Sequence, residues 1–289
     1  MTVQVAHDEI AVTGEGPLWD DRRSVLWWLD IQGCRLLGLH ATKGPLSPIH
    51  LPAEIGLVAL SEGDTLIVGL ERGLYRLDPE TASLALLSAI PAKHPNLRLN
   101  DGKADRQGRL WFGTMDKSGA GTPVGALYCR HPGGRIETVR TGVCIPNAIT
   151  ISGDGRTLYF TDSPSQRVVA FDLDQATGQL TNERIFYALD GDEKPDGAII
   201  DANGDMWLAV VHAGRVDRIA PDGQLRGSFS VPVSKPTMAT FGGPLLTDLY
   251  ITSQRRFLDD RQLAEQPLAG SLLCLPGVGQ GQPAFRVRI

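Results

Sequence analysis

Short apolar runs punctuated by polar turns organise this chain, and they recur at a nearly even spacing. The pattern is clearest in Arg109-Leu110-Trp111-Phe112-Gly113, which follows the turn Asp105-Arg106-Gln107-Gly108. Comparable runs are Val25-Leu26-Trp27-Trp28-Leu29-Asp30, Thr65-Leu66-Ile67-Val68-Gly69, Thr157-Leu158-Tyr159-Phe160-Thr161-Asp162, Asp205-Met206-Trp207-Leu208-Ala209 and Asp248-Leu249-Tyr250-Ile251-Thr252. Their centres are separated by 39, 45, 48, 48 and 43 residues. Runs this short, rich in large apolar and aromatic residues and bounded by Asp and Gly, predict strands rather than helices. Each is followed by a second run of the same character, such as Gly73-Leu74-Tyr75-Arg76-Leu77 or Arg167-Val168-Val169-Ala170-Phe171.

Six units of this length, each with several strands, predict an all-β, six-bladed β-propeller of four-stranded antiparallel blades around a central channel. A lone blade cannot bury its faces, whereas a closed ring buries them all and leaves only short edges. Two tandem β-sandwiches would not require such even spacing. Residues 1–289 are therefore expected to form one propeller domain, with the segment from Val3 to Ile10 adding an outer strand to the last blade. One helix is predicted, Leu258–Ala264, in a surface insertion of the sixth unit.

Counting back from the strand centres locates the candidate chemistry. Glu15 lies 12 residues before Trp27, Asn100 lies 11 before Trp111, Asn147 lies 12 before Tyr159 and Asp196 lies 11 before Trp207. Equivalent positions of successive blades lie on a circle about the axis, so these four side chains are expected to converge on the channel. Asn, Asp and Gly are also ordinary turn residues, but four copies in phase favour a site. An oxygen-only set suits one hard or borderline divalent ion: Ca²⁺, Mg²⁺, Mn²⁺, Zn²⁺ or Fe²⁺. The second and sixth units, where counting back reaches Glu54 and Thr237, are left out of the metal site.

Composition narrows the classes. The net charge of −5, with no basic run, argues against a nucleic-acid partner. No apolar stretch approaches the ~18 residues of a membrane span, and the first residues lack the basic and apolar regions of a secretory signal. The four cysteines form no C-x-x-C pair and read as reduced core residues. A soluble, cytoplasmic protein is expected. The six histidines have no zinc-binding spacing, and no serine sits in a G-x-S-x-G elbow. His212, just after the fifth inner strand, reads as structural; the tryptophans read as packing between blades and Met115 as core.

Gly14-Glu15-Gly16-Pro17, Arg98-Leu99-Asn100-Asp101-Gly102-Lys103, Gly113-Thr114-Met115, Pro195-Asp196-Gly197 and Phe241-Gly242-Gly243, in this order, resemble the senescence-marker-protein/gluconolactonase/luciferin-regenerating-enzyme family of regucalcin-like lactonases. The likeness runs from about Gly14 into the sixth unit. It implies a six-bladed propeller whose single divalent metal opens sugar lactones, with metal ligands at Glu15, Asn147 and Asp196 and substrate contacts at Arg98 and Asn100. Two departures stand out. Ala148 follows Asn147 where the family often has Gly, and Ser118 occupies the place of an acidic, sugar-holding residue in the animal members. The Gly-rich run from Asp116 to Gly121 is expected to be a loop at the channel mouth.

The reaction the resemblance implies is hydrolysis of an aldonolactone to its aldonic acid. Asp196 is the candidate general base, Arg98 and Asn100 would hold sugar hydroxyls, Asp101 would either orient Asn100 or shape its turn, and Ser118 would contact the sugar. The competing expectations are an aryl-ester or organophosphate hydrolase on the same scaffold, and a non-catalytic calcium-binding propeller.

Overall fold

The computed structural model describes residues 2–91 and 94–289. The protein is a six-bladed β-propeller, as the repeat predicts. The inner strands are Gly14–Asp20, Leu57–Leu60, Leu97–Ala104, Pro146–Ile151, Lys194–Ile200 and Pro236–Gly242, in blades 1 to 6. From each, the chain steps outward through antiparallel neighbours, so that blade 4, for example, runs Pro146–Ile151, Thr157–Asp162, Arg167–Leu173 and Leu180–Ala188. In blade 1 the outermost position is split into Gly44–Pro45 and Ile49–His50. Pro45 and Pro48 lack the N–H that an unbroken ladder needs. The outermost strand of blade 6 is Gln4–His7, which pairs antiparallel with Leu272–Leu275, Gln4 opposite Cys274.

The turn that precedes the large aromatic has a defined chemistry. In blade 3 the buried Asp105 accepts backbone N–H groups from Gln107 (2.9 Å) and Arg109 (3.0 Å) and the indole N–H of Trp111 (3.0 Å). Asp201 in blade 5 repeats this with Asn203 (2.8 Å), Asp205 (3.0 Å) and Trp207 (3.0 Å). Asp, Gly and Trp at these spacings thus form one unit. The carboxylate closes the hairpin turn, Gly108 or Gly204 supplies the positive φ (81° and 85°), and the indole carries the turn's anchor into the core.

Packing follows from the ring. Each junction between blades has its own apolar cluster. Trp27, Leu29 and Leu36 meet Val58, Leu60 and Val68 between blades 1 and 2, and Trp207 meets Phe241, Leu249 and Ile251 between blades 5 and 6. Trp19, Trp28 and Leu272 join blade 6 to blade 1. Tryptophan suits this task because one side chain spans the distance between two twisted sheets. Met115 is buried, as expected for core, although its side chain also borders the cavity described below.

The single α-helix among the described residues is Asp260–Glu265, two residues later than its predicted start. Asp259 is extended and acts as N-cap, accepting the Gln262 N–H at 2.8 Å, while Gln262 returns a bond to the Asp259 N–H at 3.0 Å. This capping box decides where the helix begins. Among the described residues no helix is long and apolar enough to cross a membrane.

Candidate functional site

The inner strands of blades 1, 3, 4, 5 and 6 carry their cavity-lining residues at the same end. A cavity of ≈ 510 Å³ opens there, lined by Glu15, Arg98, Asn100, Asn147 and Asp196 together with Met115, Ser163, Lys235 and others. At the opposite end of the same strands, residues Gln282 to Phe285 lie across the channel and leave a void of only ≈ 40 Å³. The channel is therefore a cup with one mouth.

A backbone device aims these side chains. The ladder between first and second strands slips after Glu15, between Leu99 and Gly102, after Asn147 and after Pro195. Each slip is a β-bulge beside a site residue. An extra residue breaks the two-residue alternation, which would otherwise send side chains towards neighbouring blades, and turns one towards the axis. Gly16 (φ 54°) and Ala148 (φ 47°) adopt the left-handed backbone at two of these bulges. Ala148 thus holds the conformation that glycine favours, and the backbone at Asn147 is kept in spite of the departure.

A hydrogen-bonded relay crosses three blades at the cavity wall. Arg98 Nη1 donates to Asn100 Oδ1 (2.7 Å), and Asn100 Nδ2 donates to Asn147 Oδ1 (2.8 Å) and to the Pro146 carbonyl (2.9 Å). Asn147 Nδ2 donates to Ser163 Oγ (2.9 Å), which donates to the Pro195 carbonyl (2.7 Å), adjacent to Asp196. Arg can only donate and a carbonyl can only accept, so the ends fix the direction of every link. Asn100 uses both amide hydrogens within the protein, which leaves it one Oδ1 lone pair for a ligand. Thr237 Oγ1 donates to the Gly14 carbonyl (2.6 Å) and ties blade 6 to the strand of Glu15.

The carboxylates at the cavity repel one another. Burial, and then the charge of Asp101, raises Glu15 to about 8. Asp196 is pushed well up by burial, then by Glu15 and Asp101. Glu15 Oε2 accepts the Gly16 N–H at 2.7 Å, leaving Oε1 free. Among the described residues no three His, Cys, Asp or Glu side chains gather as a ready ligand set. The candidate set instead holds two carboxylates with the amide oxygen of Asn147. Half-buried carboxylates under mutual repulsion, with unused lone pairs facing one enclosed space, fit a divalent cation.

The remaining predicted residues lie differently. Asp101 is not a wall of the cavity: its oxygens accept the N–H groups of Gly102 (2.7 Å) and Ile149 (2.8 Å), tying blade 3 to blade 4. It shapes the bulge and neighbours Asn100 without bonding it. Ser118 is exposed and outside the cavity, where its hydroxyl donates to Asp116 Oδ2 at 2.8 Å; Gly119 lines the mouth instead. Glu54 lies behind Arg98, its Oε2 3.5 Å from Nε. His212 borders the cavity as an exposed residue. Thr237, which counting back in the sixth unit reaches, lines the cavity; Ser163, Lys194, Lys235 and Arg256 are not singled out by the sequence. None has an in-phase counterpart, and only the ring closure brings them to the mouth.

A family profile described as SMP-30/Gluconolactonase/LRE-like region matches residues 13–255. Regucalcin of Xenopus laevis is 33% identical over 272 residues, covering 92% of this chain and 91% of its own. The 6-deoxy-6-sulfogluconolactonase of Pseudomonas putida is 35% identical over 268 residues, covering 90% and 89%. The crystal structure of a calcium-binding regucalcin from Agrobacterium tumefaciens superposes with a TM-score of 0.95 at 30% identity, covering 100% of this chain and 98% of that one. The chain belongs to the SMP-30/gluconolactonase/LRE-like family.

Proposed function

We propose that this member of the family hydrolyses a sugar lactone to the open-chain aldonic acid, with one divalent metal ion held by Glu15, Asn147 and Asp196. The observation that carries the reading is the convergence of in-phase residues from four blades on one ≈ 510 Å³ cavity. Names of relatives that act on lactones support the same class. When bound, the ion supplies Lewis acidity towards the ester carbonyl and acidifies a coordinated water.

The chain's own residues account for the rest. The relay turns the Asn147 oxygen, rather than its NH₂, to the side of blade 3. Arg98 uses Nη1 on Leu99 and Asn100 and turns Nε to Glu54, which leaves Nη2 for sugar hydroxyls. Asp196, whose carboxylate borders the cavity, would accept a proton from the attacking water and return it to the ring oxygen as the C–O bond breaks. Phe257 is the sole Phe, Tyr or Trp among the lining residues. That composition favours a polyhydroxylated substrate over an aryl ester.

The test is a pH-stat assay of aldonolactones against phenyl acetate after chelation and metal restoration, with Asp196→Ala alongside. Metal-restored turnover of the lactones, lost in the variant, is expected. Near-wild-type turnover in Asp196→Ala removes that residue from the site. Metal binding without hydrolysis of either ester makes the protein a binding propeller.

A further inference from the structure

The cavity carries positive charge that the axial oxygens do not explain. Lys194 opens the inner strand of blade 5 and pairs with Val211, next to His212. The His212 N–H donates to the Ser234 carbonyl at 2.9 Å, next to Lys235. Lys235 Nζ donates to the carbonyls of Arg256 and Phe257, each at 3.2 Å. Lys194, His212, Lys235 and Arg256 therefore form one continuous arc along the mouth on blades 5 and 6, and all four line the cavity.

Burial, then the charges of Lys235 and Lys194, hold His212 below its ordinary value, so the cations of the arc are Lys194, Lys235 and Arg256, and these are unpaired. Nearby ion pairs belong to Arg215, which engages Glu193 and Asp217; among the described residues no carboxylate pairs with Lys194, Lys235 or Arg256. Lys235 is the clearest case. It is 6% exposed, and its three N–H donors have two neutral carbonyl acceptors. A buried ammonium without a counter-charge is costly unless a ligand supplies one. The Arg256 guanidinium stacks on Phe257, 4.6 Å from the ring centre, and turns its edge to the cavity's neighbour Gly119. On the opposite wall Arg98 already has a counter-charge, its Nε lying 3.5 Å from Glu54 Oε2.

Among the described residues Glu15 and Asp196 are the only acidic ones lining the cavity, against Lys194, Lys235 and Arg256 and the Glu54-paired Arg98. Both acids are assigned to the metal, which adds further positive charge. Lys194 stands two residues mouthward of Asp196 on one strand, roughly 6–7 Å along it. That separation is comparable with the span from the carbonyl of an aldonolactone to a substituent on C6.

We propose that the lactone opened here carries an anionic group at the end of its carbon chain remote from the ring carbonyl, and that Lys194, Lys235 and Arg256 bind it. The assignment rests on the lactonase reading above. Sulfonate, phosphate and carboxylate share the needed chemistry.

The experiment compares kcat/KM for a neutral aldono-1,4-lactone with lactones bearing a 6-sulfonate, a 6-phosphate or a C6 carboxylate, at low and high salt, using the metal-loaded protein. At least one anionic lactone is expected to exceed the neutral one about tenfold or more, as a charge-assisted contact provides. That ratio should shrink with salt, and the favoured anion identifies the group. Lys235→Met removes a buried side chain, so Arg256→Gln and Lys194→Gln carry the test. Each is expected to cut the ratio about tenfold, mainly through KM, with an unchanged melting temperature. Equal use of neutral and anionic lactones overturns the anion site and leaves the lactonase reading intact. A preference unaltered in both variants overturns the assigned residues. Hydrolysis of no lactone overturns both readings.

Discussion

Asn100 on blade 3 donates from Nδ2 to Asn147 Oδ1 on blade 4 at 2.8 Å, and this contact fixes Oδ1, not Nδ2, as the Asn147 amide atom on the side of blade 3. With Arg98 fixed as donor at one end and the Pro195 carbonyl as acceptor at the other, a flipped amide would set N–H against N–H. Replacing Asn100 by Ala leaves Asn147 free to turn. Metal affinity is expected to fall roughly 10- to 100-fold, the usual effect of losing a residue that orients a ligand. Titration calorimetry with Mn²⁺ or Zn²⁺ reads this directly, and an unchanged affinity would remove the relay from the metal site.

Without metal, the protein should lose stability as pH rises. Glu15 sits at about 8 in the folded chain against an ordinary 4.5, and Asp196 is displaced in the same direction. Between those pH values the folded state keeps a proton that the unfolded state releases, so stability declines with pH across that window. The melting temperature in chelator should drop by roughly 5 °C or more from the lower to the upper end. Saturating divalent metal should flatten the curve. A pH-independent melting temperature in chelator would contradict the mutual repulsion described here.

Asp201 anchors a hairpin and an indole together. Asp201→Ala strands the buried Trp207 Nε1–H and the Asp205 N–H and releases the Asn203 N–H of the exposed turn. A cost of about 2–5 kcal/mol follows from orphaned buried donors beside Arg218, whose Nη2 lies 3.6 Å from Asp201. Urea unfolding measures it. A loss below about 1 kcal/mol would mean that water satisfies these groups.

Ala148 stands where the family resemblance leads one to expect glycine. Its φ of 47° favours glycine by about 1–2 kcal/mol. Against this, glycine would lose a fully buried methyl (about 0.8 kcal/mol) and gain freedom in the unfolded chain (about 0.4–1 kcal/mol). Ala148→Gly is therefore expected to change stability by less than about 1 kcal/mol. Ala148→Val, β-branched in a left-handed backbone, should cost clearly more. Thermal unfolding of the two variants compares them, and equal stability would show that the backbone relaxes at this bulge.

The architecture was legible because a propeller repeats its local chemistry. Asp105 to Trp111 and Asp201 to Trp207 spell the same turn, and the apolar runs between them can be buried only by a neighbouring blade. The same phase brought out Glu15, Asn100, Asn147 and Asp196, since a fixed offset from a strand centre is a fixed position around the axis. The helix start was legible only to within two residues, because the Asp259 cap competes with the apolar run that precedes it.

Tertiary structure alone decided where individual side chains point. One bulge residue reverses the alternation of a strand, which is why Asp101 turns to the backbone of Ile149 while its neighbour Asn100 reaches Asn147. Ser118 bonds Asp116 within its own loop and stays outside the cavity. Lys194, Lys235 and Arg256 come from two blades and three loop ends, and ring closure alone assembles them. Repetition along the chain determines how many blades form and which residues share a level. Handedness of aim, and charge gathered from unrelated positions, depend on contacts between segments that no local spacing encodes.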